Sequence, residues 1–283
     1  MNLSQSLLEL ALGAAALAAI FVPLERCFTA RRQPHLREGW RTDAAFFVAQ
    51  YLAFAGLFSA FNRALIEGVG ALGPAPLTVA VAALPLAGQA VLVVVAGDLG
   101  LYWGHRLAHR IPILWRFHAV HHSATRLDWL AAHREHPLDG LYSQFFLTVP
   151  AAVLGVEPGL IMPLLVSRGL WAVLIHSNVR LPVGPLGLLL GDPILHRWHH
   201  ARVERCVHNF ANLAPYLDWI FGTHHRPANE RYELGISEHT PAGFVGYLAG
   251  VRASVREEGC GEGEAGGVPT ATCTSEDQAV PSR

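Results

Sequence analysis

Leu141–Ile175 reads LYSQFFLTVPAAVLGVEPGLIMPLLVSRGLWAVLI, an apolar stretch broken in its middle by Gly155-Val156-Glu157-Pro158-Gly159. A crossing helix needs about 20 apolar residues, and the Gly/Pro interruption leaves two halves too short to span comfortably. The expected form is a helical hairpin that dips into the bilayer and returns to the side it left. That return decides the architecture, because histidines stand on both sides of the stretch: His105, His109, His118, His121 and His122 before it, His196, His199 and His200 after it. A single tilted crossing would strand the last three across the membrane, whereas the hairpin lets all eight meet.

Composition supports a membrane class. Of 283 residues 52% are apolar and 15% charged, and the mean hydropathy is positive, which is outside the usual soluble range. Every basic residue is Arg and the net charge is −1, so no basic face for nucleic acid is indicated. Cys27, Cys206, Cys260 and Cys273 are scattered and form no C-x-x-C pair, which argues against both a disulfide framework and a thiolate zinc site.

Leu7–Leu24 is a continuous apolar run. The residues before it lack the positive charge of a secretion signal, while Arg26, Arg31, Arg32, Arg37 and Arg41 follow it, so it reads as a retained first helix. Thr42 is placed to cap a second helix, apolar from Ala44 to about Leu65. A Gly/Pro-rich connector, Gly68–Pro76, leads to a third run, Val79–Trp103, in which Pro85 should kink the helix or mark its true start. Leu181–Gly191 reads as an interfacial connector too rich in Gly and Pro for a firm helix.

The first connector holds five Arg and the second none, while Arg106, Arg110, Arg116, Arg126 and Arg134 follow the third helix. By the positive-inside rule the Arg-rich side, and the histidines with it, faces the cytoplasm. The expected fold is thus an all-α integral membrane protein: about three transmembrane helices, a re-entrant or short helical hairpin, and a cytoplasmic helical cap carrying the histidine motifs. Residues 1–253 form this membrane-embedded domain, with the motif region at 98–227. Residues 254–283, rich in Gly, Glu, Ser, Thr and Pro, are expected to be a disordered tail.

The spacing His-x-x-His-His occurs twice, at His118/His121/His122 and His196/His199/His200, where a shuffle of the 16 histidines would give roughly 0.05 copies. On a helix, residues three and four apart share a face, so His105 and His109 offer two rings to one point, and each triplet offers three within an arc of ~100°. Eight imidazoles exceed what one catalytic ion with about three protein ligands requires, so the count points to two metals. Imidazole suits Fe, Zn, Cu and Ni alike. Carboxylates are expected behind the rings, orienting them and offsetting the cationic charge. Asp98, seven residues before His105 on the same helical face, is the first candidate, followed by Asp128, Asp139 and Asp192.

In order, the chain presents Asp98, Tyr102-Trp103, His105-Arg106 and His109; His118 with His121-His122-Ser123; Arg134 with His136-Pro137; and His196-x-x-His199-His200. Asn209-Phe210 and Asp218-Trp219-Ile220-Phe221-Gly222-Thr223 follow. This series resembles the membrane fatty acid hydroxylase and sterol desaturase superfamily, over roughly Leu84–Pro227. The resemblance implies a non-haem di-iron oxygenase that hydroxylates or desaturates an apolar lipid, sterol, fatty acyl or related. Its cofactors would be two histidine-bound Fe ions, with Zn an alternative occupant, and O2 the co-substrate. It further implies a ninth ligand about twenty residues before the last motif, a place filled by His176. The chain carries no flavin, haem or iron–sulfur motif, so an external electron donor, a reductase or small electron carrier, is required. The other partners are the membrane and a lipid drawn from it.

The isolated His35 and His239 read as ordinary surface or core residues. A ligand role is open to His133, His136, His208, His224 and His225, but the first two read rather as polar support or a substrate gate and the last three as a cap over the site. Two other functions are consistent with bound metal. A divalent-metal transporter would line a path through the bilayer with histidines, yet here they cluster after a helix end and in the last loop region. A non-catalytic scaffold would close its site with ligands and lack an apolar tunnel.

Overall fold

The computed structural model describes residues 3–181, 184–203 and 207–252; the expected C-terminal tail lies outside them. Among the described residues there is no strand, only two isolated bridges, Thr29 to Val179 and Ala201 to Leu234. The helices are α1 (Leu3–Cys27), α2 (Trp40–Ala49), α3 (Ala55–Gly70), α4 (Ala75–Ala82), α5 (Leu86–Arg110), α6 (Pro112–His122), α7 (Pro137–Val153), α8 (Pro158–His176), α9 (Gly187–Leu190), α10 (Pro193–His199), α11 (Tyr216–Ile220) and α12 (Gly243–Tyr247). A π-turn at Gln50–Phe54 joins α2 to α3 without a break.

Four helical stretches are long and apolar enough to cross a membrane: Leu3–Cys27, Trp40–Gly70, Leu86–Arg110 and Gly159–His176. The hairpin forms as expected, with α7 and α8 joined at Leu154–Glu157, where Gly155 turns the chain at φ 69°. Its second arm departs from the sequence reading. Pro158 opens the helix and His176 closes it, so this arm is long enough to span by itself. Pro85 marks the true start of α5, splitting the third run into α4 and α5.

Thr42 does not cap the second helix. Gly39 does, at φ 82°, in a left-handed conformation that places a Cβ at this position against the Arg134 guanidinium. Around it lies a buried ion network: Arg37 pairs with Asp43 and Asp128, and Arg134 pairs with the other oxygen of Asp43. These four residues lock the start of α2 to the loop between α6 and α7, from which one histidine is oriented.

Apolar side chains such as Leu8, Leu12 and Ile20 on α1 are exposed, while histidines, arginines and aspartates are buried in the interior. That inversion suits hydrocarbon, in which apolar contact gives helices little reason to associate and close packing must do so. Gly97, Gly100 and Gly104 form a stripe on α5 against which α7 lies. A Cβ at Gly100 would strike the Phe146 carbonyl oxygen, and one at Gly104 would lie 2.7 Å from the Phe146 ring. Thr148 of α7 donates to Asn62 of α3 at 2.8 Å, and Asn62 donates to Gln144 at 3.1 Å. Gly100→Val is therefore expected to separate α5 from α7 and lower the yield of folded protein in detergent severely; size-exclusion profiles matching the wild type would refute this packing.

Candidate metal centre

The histidines gather in two adjoining nests. One holds His105, His109, His118, His122 and His199, the other His121, His176, His196 and His200. Within each nest every ring offers a nitrogen, and those nitrogens lie within 4.8 Å of one another. Two imidazoles on opposite sides of one ion at ~2.1 Å each would stand about 4.2 Å apart, so each nest fits a single ion with small inward movement. The nests meet where the rings of His122 and His200 stack at 4.3 Å between centroids.

All nine histidines expected as ligands gather in these nests, but the triplets do not stay together as units. On α6, His118 and His122 turn to the first nest and His121 to the second; on α10 and its C-terminal cap, His199 serves the first while His196 and His200 serve the second. The angular step of about 100° per residue along a helix makes this split natural. α5 supplies His105 and His109, and the last residue of α8 supplies His176, which the returning hairpin brings to 2.9 Å from His121.

Outer hydrogen bonds fix five tautomers. The Nδ1 of His105 donates to the Phe210 carbonyl at 2.7 Å, that of His199 to the His208 carbonyl at 2.8 Å, and that of His121 to the Arg134 carbonyl at 3.1 Å. The Nδ1 of His176 donates to the Ala172 carbonyl at 2.6 Å, and that of His118 to Asp139 at 2.9 Å. A neutral imidazole has one proton, so each of these five rings turns a bare Nε2 inward. Yet the Nε2 atoms of His105 and His199 are 2.9 Å apart, as are those of His121 and His176. Lone pair facing lone pair at that distance is repulsive without a cation. His109 adds two buried ring nitrogens with no partner.

Burial and neighbouring rings oppose protonation, so the repulsion is not relieved by imidazolium. Burial first, then nearby histidines, push His121, His122, His196 and His200 well below the ordinary histidine value, and burial takes His199 down to about 3. The neutral form is the ligating one.

Of the four carboxylates expected behind the rings, only Asp139 holds one. Asp98 pairs with Arg168, not with a histidine, because two helical turns along α5 put it beyond reach of the His105 ring. Asp128 belongs to the Arg37 network, and Asp192 caps α10 and pairs with Arg226 at 2.9 Å. His133 bonds Gln50 and His136 caps α7, while His208, His224 and His225 stay outside both nests.

Backbone carbonyls do the orienting that sequence reasoning assigned to acids. Asp218 accepts from the Phe210 and Ala211 amides at 2.8 and 3.0 Å and from Thr223 at 2.7 Å. Asn209, at φ 57°, clamps Leu195 and His225. Together they hold the loop so that the His208 and Phe210 carbonyls face His199 and His105. The Asn-Phe and Phe-Gly-Thr signatures were visible; their service to the rings was not, since carbonyls leave no mark in sequence.

Beside the nests lies a cavity of about 450 Å3, whose lining includes His105, His118, His121 and His176 together with Leu147, Leu165, Val166 and Leu170. Val166 and Leu170 are also exposed on the outside of α8.

Residues 90–223, which contain every histidine of both nests, match the family model described as fatty acid hydroxylase. The histidine-bearing segment is thus similar to the fatty acid hydroxylase family. The chain is 37% identical over 167 residues to an ornithine lipid hydroxylase of Rhizobium tropici, covering 58% of this chain and 50% of that protein. It is 34% identical over 141 residues to the human alkylglycerol monooxygenase, covering 50% and 31%, and 29% identical over 144 residues to a methylsterol monooxygenase of Arabidopsis thaliana, covering 48% and 52%. The chain thus spans about half or less of the length of these relatives. No solved structure matches.

Proposed function

We propose that this fatty acid hydroxylase-family chain oxidises an apolar lipid with O2 at a centre of two irons, one held by His105, His109, His118, His122 and His199, the other by His121, His176, His196 and His200. The observation that carries this reading is the pair of 2.9 Å contacts between bare Nε2 atoms, one in each nest. Iron is favoured over zinc because the relatives named hydroxylase and monooxygenase insert oxygen, which a redox-inert ion does not support. The same names favour hydroxylation over desaturation.

Two bound irons would supply the activation of O2, with one oxygen atom entering a C–H bond and the other leaving as water at the cost of two electrons and two protons. The chain's own residues position and protect. Carbonyl acceptors keep the Nδ1 protons outward and the Nε2 lone pairs inward. Apolar residues in the cavity lining, such as Leu147 and Leu165, hold a hydrocarbon beside the rings, with Val166 and Leu170 marking a side entrance from the bilayer. Glu135 lines this cavity, where burial, then the charge of Asp139, raises its carboxyl to about 8. The electrons come from an external reductase or small carrier, and the Arg-rich loops favour a cytoplasmic position for the site. The histidines gather at one end of the spanning helices, which supports oxidation there over ion passage across the bilayer.

Lipid profiles of cells with and without the chain test this. Expression should convert one lipid class to a product heavier by one oxygen, in air and not under nitrogen, and a membrane-permeant iron chelator should suppress the product. An unchanged lipidome in iron-replete, aerated cells would count against it.

A further inference from the structure

The nests use every clustered histidine and leave Arg168 unexplained. It lies within the membrane-crossing part of α8, its side chain is only 10% exposed, and it lines the cavity. An ionised group at that depth is costly and marks a functional position by default. Asp98 of α5 pairs with one end of the guanidinium, while Nε and Nη1 have no partner. One turn along α8, Trp171 lines the same cavity with its buried Nε1 also unpartnered, and Asn212 lines it with Oδ1 unpartnered. Trp171 and Asn212 converge on Gly191, at φ 75°, where a Cβ would lie 3.0 Å from the Trp171 Nε1 and strike the Asn212 carbonyl oxygen.

A plain ion pair joining α5 to α8 explains Asp98 and Nη2. It leaves unexplained why three further donors and an acceptor stand unpaired in the same wall. We propose that Arg168, Trp171 and Asn212 form a polar subsite that binds a neutral oxygen of the lipid, a carbonyl or hydroxyl, remote from the carbon presented to the histidines. The remoteness rests on the lipid-oxidation reading above; the binding does not. Neutrality follows from Asp98, which already cancels the arginine charge, so an incoming anion would lie uncompensated beside a carboxylate. Arg168 precedes His176 by eight residues and Asp98 precedes His105 by seven, which puts the ion pair about 10–12 Å along the axis from the rings, with Trp171, five residues before His176, about 7–8 Å from them. The group it holds is not the group that reacts.

Equilibrium binding to the purified full chain, without a reductant so that no turnover occurs, separates this from any failure of the oxidation reading. Methyl palmitate and octadecane have chains of equal length and differ by the ester oxygens. The wild type should bind methyl palmitate about ten-fold tighter or more. Arg168→Met with Asp98→Asn, which removes the pair without leaving a lone charge, should bring the two to parity. Trp171→Phe, which removes one N–H and keeps the ring, should reduce the preference several-fold and decides the matter if the double variant does not fold. Equal binding by the wild type, or a preference that survives Trp171→Phe intact, would overturn the subsite. Palmitate binding tighter than its methyl ester would overturn the neutral-oxygen assignment in favour of an anion.

Discussion

His199→Ala is expected to reduce lipid oxidation to background while the chain still inserts into membranes at the wild-type level. The ring supplies a nitrogen to the first nest 2.9 Å from that of His105, and its other nitrogen is tied to the His208 carbonyl. Removing it deletes one of the proposed ligands and frees a loop carbonyl in one step. Loss of a residue that merely orients a ligand costs about 10–100-fold in metal affinity or activity, so loss of the ligand itself should exceed that range. Insertion should survive because α10 lies outside the four spanning stretches. His224→Ala is the matched control: this ring stacks on Trp219 outside both nests, and its loss should change turnover little. Oxygen-dependent product formation in membranes, normalised to protein content, makes the comparison. Full activity in the His199 variant would remove that residue from the centre.

The second large effect belongs to Asp139. Its carboxylate is 4% exposed and holds the Nδ1 of His118 at 2.9 Å, the one carboxylate bonded to a nest histidine among the described residues. Asp139→Ala should lower iron affinity about 10–100-fold, and Asp139→Asn should fall nearer the lower figure, because an amide oxygen can still accept the Nδ1 proton but brings no charge. Asp98→Asn should behave differently. It strands Arg168 without its counter-charge, so the yield of folded protein should drop, but the folded fraction should bind iron as tightly as the wild type. Titration of metal-depleted protein with ferrous iron under nitrogen measures all three. An iron affinity weakened by Asp98→Asn and untouched by Asp139→Ala would reverse the assignment.

Much of the site could be read from spacing, because helical periodicity places histidines three and four residues apart on one face. The hairpin at Gly155–Pro158 was legible for a similar reason, since Gly and Pro punctuate a run that otherwise has no cause to turn. Two features were hidden. The triplets divide between two nests, which spacing alone does not disclose: an arc of ~100° serves one ion or two neighbouring ones equally well. Among the carboxylate candidates Asp139 stood behind Asp98, for a physical reason. Asp98 shares a face with His105, but sharing a face over two turns is not contact, whereas Asp139 arrives from a different helix with no local signal. The remaining supports are the carbonyls of Arg134, Ala172, His208 and Phe210, and a carbonyl belongs to every residue type. Their placement depends on Asn209, Asp218 and the Arg37–Asp43–Arg134 network, whose purpose appears only when the chain is folded.

Two neighbouring sets of imidazoles are proposed each to hold one ion. Metal analysis of the purified chain after anaerobic loading with ferrous iron and removal of the excess tests this most directly. About two irons per chain are expected, falling to about one in His121→Ala, whose ring belongs to the second set. Folded wild-type protein that retains one iron or none after loading would contradict this.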